Sequence, residues 1–273
     1  MSKSKRILFI DFAKALAIVL VVIGHYIPHE HPDWYGNMRE IIYGFHMPLF
    51  MFTSGFVYVA TVRQESYGSF LLRKFKRLMI PYFVVSILVI SIKFATQGTA
   101  YVENPVTLMS YVRMFYMPKA GPFLWFLWAL WWIFVVVPVF NNKYKRLIML
   151  ALAIVIYYLP VSFTVVFCLD GFKKMFVYFC LGCATNDYKD SLKKVGKIPL
   201  YVFMVLFVII NYLYITNLLP SELQKSLTPL IGIAFVLSLC KWLEQKNRIS
   251  LNNLLLIIAS SSYIIYLLHT TFE

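Results

Sequence analysis

The stretch ILFIDFAKALAIVLVVIGHYI, Ile7 to Ile27, decides the fold. It is long enough to cross a bilayer as one helix, for which about 20 mostly apolar residues suffice. It also contains three ionisable residues, Asp11, Lys14 and His25. A charge at the bilayer centre costs at least ~2.5–3.5 kcal/mol on the lenient insertion scales, so residues of this kind mark a functional interior. At 100° per residue, Lys14 and His25 fall within roughly 20° of each other, about 16 Å apart along the axis. Asp11 stands one turn before Lys14, at ion-pairing distance on a helix. The span therefore carries a polar stripe, with an ion pair near one end and an imidazole near the other.

The rest of the chain follows the same pattern. Of its 273 residues, 60% are apolar and 14% charged. The apolar residues come in runs of span length, which reads as an all-α polytopic transmembrane bundle. Nine spans are expected, at 7–27, 39–60, 79–95, 123–140, 147–166, 172–185, 198–215, 226–243 and 254–272. Connections are short and neither a repeat nor a low-complexity linker interrupts them, so residues 1–273 read as one membrane domain. The last span stops at Thr271-Phe272-Glu273 without a polar tail, the pattern of a chain truncated before its last helix or helices.

A net charge of +14 is typical of nucleic-acid binders, but its distribution excludes that class. With the N-terminus inside, eighteen of the 26 basic residues fall on cytoplasmic segments, which is positive-inside asymmetry. The first span is too long, and too closely followed by others, for a cleaved leader. Cys180 and Cys183 form a CxxC, but within the apolar string YFCLGCA, where small residues pack helices together; no disulfide framework is expected.

This orientation places His25 near the outer end of span one, His46 two turns into span two and His269 four turns up span nine, all at similar depth. His29 and His31 fall in the first outer loop. Without carboxylates or cysteines at ligand spacing beside the three intramembrane histidines, no metal is expected. An uncharged imidazole is the form a general base requires, and His25 is placed to take a proton from a hydroxyl attacking a carbonyl. Hydrogen bonding to a neighbouring helix is the competing role for each of the three, His25, His46 and His269. Pro48 is expected to kink span two beside His46 and to open a cavity there. After span two, FLLRKFKRLMIPYF places Arg73, Lys74, Lys76 and Arg77 in a loop just before Pro81. The cluster is either a positive-inside anchor or a cradle for a polyanionic phosphate.

These segments, taken in order, resemble the acyltransferase family 3 integral membrane proteins, which move acyl groups, often acetyl, onto sugars of bacterial surface polysaccharides. The resemblance begins with IDFAKALAIVLVVIGHYIP, a basic residue (Lys14) and a histidine (His25) separated by ten positions. It continues through FHMPLFMFTSGF (Phe45 to Phe56) and the basic-x-x-Arg motif at Lys74 and Arg77. WFLWAL (Trp125 to Leu130), YFCLGCA and SSYIIYLLH (Ser261 to His269) follow. The family's first basic residue is commonly arginine; Lys14 keeps the charge without the planar fork.

The resemblance implies a bacterial inner-membrane O-acyltransferase of about ten spans in a complete chain, with a cytoplasmic N-terminus. Acetyl-CoA or another acyl-CoA serves as co-substrate, and no cofactor is tightly bound. The acceptor is a carbohydrate or lipid-linked glycan, and polysaccharide-synthesis proteins are potential partners. Arg73, Lys74, Lys76 and Arg77 would hold the CoA phosphates, and Asp11, Lys14 and His25 would form the catalytic stripe. An extended pantetheine arm is comparable in length to that stripe. His25 would act either as base or as transient acyl carrier. His46, Ser54, Trp125 and His269 would border the acceptor or support the catalytic residues from behind, with helix packing and anchoring the competing role for Trp125. The alternatives are a polysaccharide exporter or proton-coupled transporter, because intramembrane Asp, Lys and His also mark transport paths, and a non-catalytic scaffold.

Overall fold

The computed structural model of the protein describes residues 7–26, 31–99, 102, 104–193, 198–246 and 248–269; His29 and Thr271 to Glu273 lie outside them. Ten α-helices and no strand occur among the described residues, as expected of an all-α chain: α1 (Leu8–His25), α2 (Asp33–Ala60), α3 (Tyr67–Thr96), α4 (Ser110–Arg113), α5 (Trp125–Val136), α6 (Lys143–Tyr158), α7 (Leu169–Asp187), α8 (Leu200–Ile215), α9 (Ser221–Lys246) and α10 (Ile249–Leu268). All but the short α4 fall on the nine expected spans. Six stretches among them are long and apolar enough to cross a membrane: Leu8–His25, Asp33–Ala60, Tyr67–Thr96, Pro122–Val139, Ser221–Lys246 and Ile249–Leu268.

Two boundaries differ from expectation for physical reasons. The basic cluster is not in a loop: α3 starts twelve residues earlier than residue 79, after Ser66, whose hydroxyl accepts the Ser69 N–H at 3.3 Å as an N-cap. Pro81 lies inside that helix, a position that membrane helices tolerate. The fifth span, expected to reach residue 166, ends as a helix at Tyr158. Lys173 donates to the Leu159 and Val161 carbonyls just beyond, at 2.6 and 2.7 Å, and so holds them outside a helical ladder.

The chain divides into two compact units, Met1–Thr61 with Leu181–Glu273, and Val62–Cys180. In the first unit α1 is central and packs on α2, α9 and α10, while α8 packs on α9. Ala13, Ala15 and Ala17 are fully buried on α1, which permits neighbours to approach closely. The Leu181–Asp187 end of α7 meets α2 backbone to backbone: a Cβ at Gly182 would stand 2.0 Å from the Phe52 carbonyl oxygen. Cys183 Sγ contacts the Gly55 oxygen at 3.3 Å, and Asn186 donates to the Phe56 carbonyl at 3.2 Å. The YFCLGCA segment thus packs helices, and its cysteines are buried thiols.

In the second unit α3 packs on α5. Trp128 is buried against Tyr82, whose hydroxyl donates to the Met114 carbonyl at 2.7 Å. Trp131 lies against Phe75, and Trp132 Nε1 donates to the Phe167 carbonyl at 3.0 Å. Trp128, Trp131 and Trp132 of α5 are therefore used in packing. Large apolar side chains point outward along α3, α8 and α10, among them Leu88, Ile92, Val208, Ile257 and Ile264, as lipid-facing helix surfaces require.

Candidate functional site

In the first unit, three histidines far apart in sequence meet. His25 is the last residue of α1, His46 lies mid-helix in α2, and His269 is the C-cap of α10. The His25 ring centroid is 4.8 Å from that of His269 and 6.2 Å from that of His46, both nearly edge to face. The similar depth read from the topology thus becomes direct proximity.

Each ring is held by its own helix. Nδ1 of His25, His46 and His269 lies 2.8, 2.7 and 2.8 Å from the carbonyl oxygens of Val21, Ile42 and Tyr266. A carbonyl only accepts, so each Nδ1 carries the proton, and in the neutral ring the lone pair resides on Nε2. All three imidazoles are therefore fixed in the tautomer that makes Nε2 the basic and nucleophilic atom. His46 is 1% exposed, and its Nε2 has no hydrogen-bond partner among the described residues. No group of three or more His, Cys, Asp or Glu side chains among the described residues forms a metal-binding set.

Two residues absent from the sequence reading complete the cluster. The Tyr43 ring lies 5.4 Å from His25 and 5.1 Å from His46. Arg39 donates from Nε to the Gly24 carbonyl at 2.9 Å, with its guanidinium 5.7 Å from the Tyr43 ring centroid. Tyr35 donates to the Tyr26 carbonyl at 2.8 Å. The last carbonyls of a helix lack intrahelical partners, and these two α2 side chains satisfy them, tying the His25 end of α1 to α2. A signal was available: Arg39, Tyr43 and His46 are spaced four and three residues apart, one face of a helix.

At the other end of α1, Lys14 Nζ lies 3.9 Å from Asp11 Oδ1, both half-buried, so the expected pair forms. Ser54 is not at the imidazoles: eight residues beyond His46 on a continuous α2, it lies about 12 Å further along the axis.

The remaining expected residues belong to the second unit. Arg73, Lys74, Lys76 and Arg77 occupy successive turns of α3. Arg73 grips Glu65 through Nε at 3.2 Å and through a second bond from Nη2. The guanidinium holds the Glu65 carboxyl below the usual carboxylate range. Lys74 Nζ sits 3.7 Å from the Phe134 ring centroid, in cation–π range. Lys76 and Arg77 are exposed. The four cations are thus unequal: two engage their own unit and two face outward. Trp125 lies against Gly171 and lines a cavity of about 460 Å³ with Lys119, Cys168 and Asp170, all within the second unit.

The chain matches the family model described as an acyltransferase domain over residues 7–272. It is similar to two curated nodulation proteins named NolL. The one from Mesorhizobium japonicum is 27% identical over 66% of this chain and 48% of its own length. The one from Sinorhizobium fredii is 30% identical over 63% of this chain and 46% of its own. The chain thus spans about half the length of these relatives. No solved structure matches it.

Proposed function

The chain belongs to the acyltransferase family, and from that premise we propose that it is a multi-pass membrane O-acyltransferase. It moves an acyl group, acetyl in the simplest case, from cytoplasmic acyl-CoA to a hydroxyl of a cell-surface or lipid-linked carbohydrate. The observation that supports this most is the meeting of three imidazoles, each protonated at Nδ1 and each with its lone pair on Nε2. Such a cluster suits proton transfer at an acyl carbonyl.

In the general-base route, Nε2 of His25 removes the acceptor's hydroxyl proton as the oxygen attacks the thioester carbonyl. The C–S bond breaks, and the departing CoA thiolate takes the proton back from the imidazolium. In the relay route, Nε2 attacks the carbonyl and CoA leaves as its thiolate, forming an acyl-imidazolium. The acceptor hydroxyl then displaces the imidazole, and its proton goes to the thiolate. In both routes the Nδ1–H bond to the Val21 carbonyl stabilises positive charge on the ring. An acyl-enzyme trapped without acceptor selects the relay.

The CoA phosphates bind Arg73, Lys74, Lys76 and Arg77, led by the exposed Lys76 and Arg77. Asp11 and Lys14 are a polar foothold within the span. The basic asymmetry orients the N-terminus and the α3 cluster to the cytoplasm, as in a bacterial inner membrane.

The test is transfer of radiolabelled acetyl from acetyl-CoA in membranes carrying the full chain, wild type beside His25→Ala at matched expression. Transfer by wild type and a loss of about 10²-fold or more in the variant are expected. Equal labelling removes His25 from the chemistry. No label above empty membranes overturns acetyl-CoA as donor and makes glycan transport the next assay.

A further inference from the structure

A second feature of the first unit lies beside the imidazoles. A cavity of about 410 Å³ opens among α2, α8 and α9. That is within the ~300–1,000 Å³ of small-molecule sites. Glu40, Tyr43 and Gly44 of α2 line it, facing Asn211 and Tyr214 of α8 and Thr228 of α9. Tyr43 belongs both to this wall and to the histidine cluster, with its ring 5.4 and 5.1 Å from His25 and His46. It is 44% exposed, so it offers a ring face to an occupant.

The wall carries unspent hydrogen-bonding capacity. Asn211 is 4% exposed; its Nδ2 donates to the Phe207 carbonyl at 2.7 Å, but its Oδ1 is buried without a partner among the described residues. Thr228 is 5% exposed, and its hydroxyl is likewise buried without one. Buried polar groups are nearly always satisfied, and these two side chains belong to the cavity wall with both oxygens beneath its surface, so a ligand completes them by drawing the side chains toward the cavity. Pro48 has no N–H for the carbonyl four residues back, which is that of Gly44, also in the wall. Gly44 is required there, because a Cβ would stand 2.9 Å from Thr228 Cγ2.

The chemistry of the lining selects the ligand class. A carboxylate, an amide and a threonine hydroxyl accept from, or share hydrogen bonds with, hydroxyl groups, while two tyrosine rings suit the C–H face of a pyranose. Tyr214 of α8 and Glu40 of α2 line the same wall. The Glu40 charge disfavours a polyphosphate, and the nearby Lys225 is paired with Glu222 at 2.9 Å. We infer that this cavity binds a sugar residue of the acceptor, with its hydroxyls on Glu40, Asn211 and Thr228. One further hydroxyl is then presented past Tyr43 to the His25–His46 pair. This inference rests on the acyl-transfer reading above and assigns its acceptor to a place.

The experiment is photocrosslinking of the full chain in membranes with an alkyl glucoside bearing a diazirine, beside the same alkyl diazirine carrying a phosphocholine head. Glucoside-specific crosslinks are expected within residues 40–44, 211–214 and 224–229, and should be competed by excess unlabelled alkyl glucoside. Asn211→Leu with Thr228→Val should reduce them at least tenfold. Glu40→Gln, at an exposed position that leaves packing intact, should reduce them several-fold, whereas His25→Ala should leave them unchanged. Crosslinks distributed like those of the phosphocholine control, or unchanged in Glu40→Gln, overturn the inference even if acetyl transfer is present. Crosslinks confined to the cavity in a chain that transfers no acyl group uphold the sugar site and overturn the transferase reading instead.

Discussion

His46→Phe separates structural from chemical roles at the imidazole cluster. The ring is 1% exposed and stacks edge to face on Tyr43 at 5.1 Å, an arrangement that phenylalanine keeps. The variant loses the Nδ1 bond to the Ile42 carbonyl, worth about 0.5–1.5 kcal/mol net. That carbonyl remains the helical acceptor of the residue 46 N–H, so it is not orphaned. The variant also removes a buried Nε2 without a partner among the described residues, an atom whose desolvation costs about 1–3 kcal/mol. The two effects oppose each other, and stability should change by no more than about 1–2 kcal/mol in either direction. Acyl transfer should fall by about tenfold or more, because a polar atom 6.2 Å ring to ring from His25 is gone. The assay is thermal unfolding in detergent, read by fluorescence, beside acetyl transfer in membranes. Transfer at the wild-type rate with unchanged stability would refute a chemical role for His46. A loss of more than about 3 kcal/mol would refute the energetic argument, since only a structural requirement for the imidazole explains it.

Lys76→Gln and Arg77→Gln should each raise the KM for acyl-CoA by several-fold to tenfold with little change in kcat, and weaken its salt dependence; an equal fall in kcat would place them in the chemistry instead. Glu65→Gln should release Arg73 and tighten inhibition by free CoA. Because the Glu65 carboxyl is held below its ordinary value of 4.5, the pair persists above that pH and is lost only as pH falls below it. CoA inhibition of the wild type should therefore show no Glu65-dependent change between pH 5 and 8, and a step there absent from the variant contradicts the assignment. Gly182→Val inserts a side chain where a Cβ already stands 2.0 Å from the Phe52 oxygen; a loss of about 2–3 kcal/mol is expected in detergent unfolding, and an unchanged midpoint would mean that the α7–α2 contact is looser than described.

Helix number and placement were largely legible from the sequence, because lipid demands long apolar helices and the run lengths record that demand directly. The misplaced start of α3 has a specific cause. Pro81 marks the beginning of a span in the sequence pattern, but the Ser66 cap and the membrane's tolerance of internal proline favour one continuous helix. Motifs place Ser54 and Trp125 in order along the chain but carry no distances. Ser54 lies two turns from His46 along α2, and Trp125 lines a cavity of the second unit.

By itself the sequence determined what local periodicity encodes: a helical membrane protein, the Asp11–Lys14 pair, the stripe that continues to His25, and the basic cluster before Pro81. Tertiary structure alone decided which imidazoles meet, which tautomer each adopts, that Arg39 and Tyr35 fasten the end of α1, and that Arg73 is engaged by Glu65. It also decided that α2, α8 and α9 enclose two unsatisfied polar groups. The physical reason is the same for each: these contacts depend on which helix faces dock, and in a membrane that is settled by shape and hydrogen bonding between helices rather than by hydrophobicity along the chain.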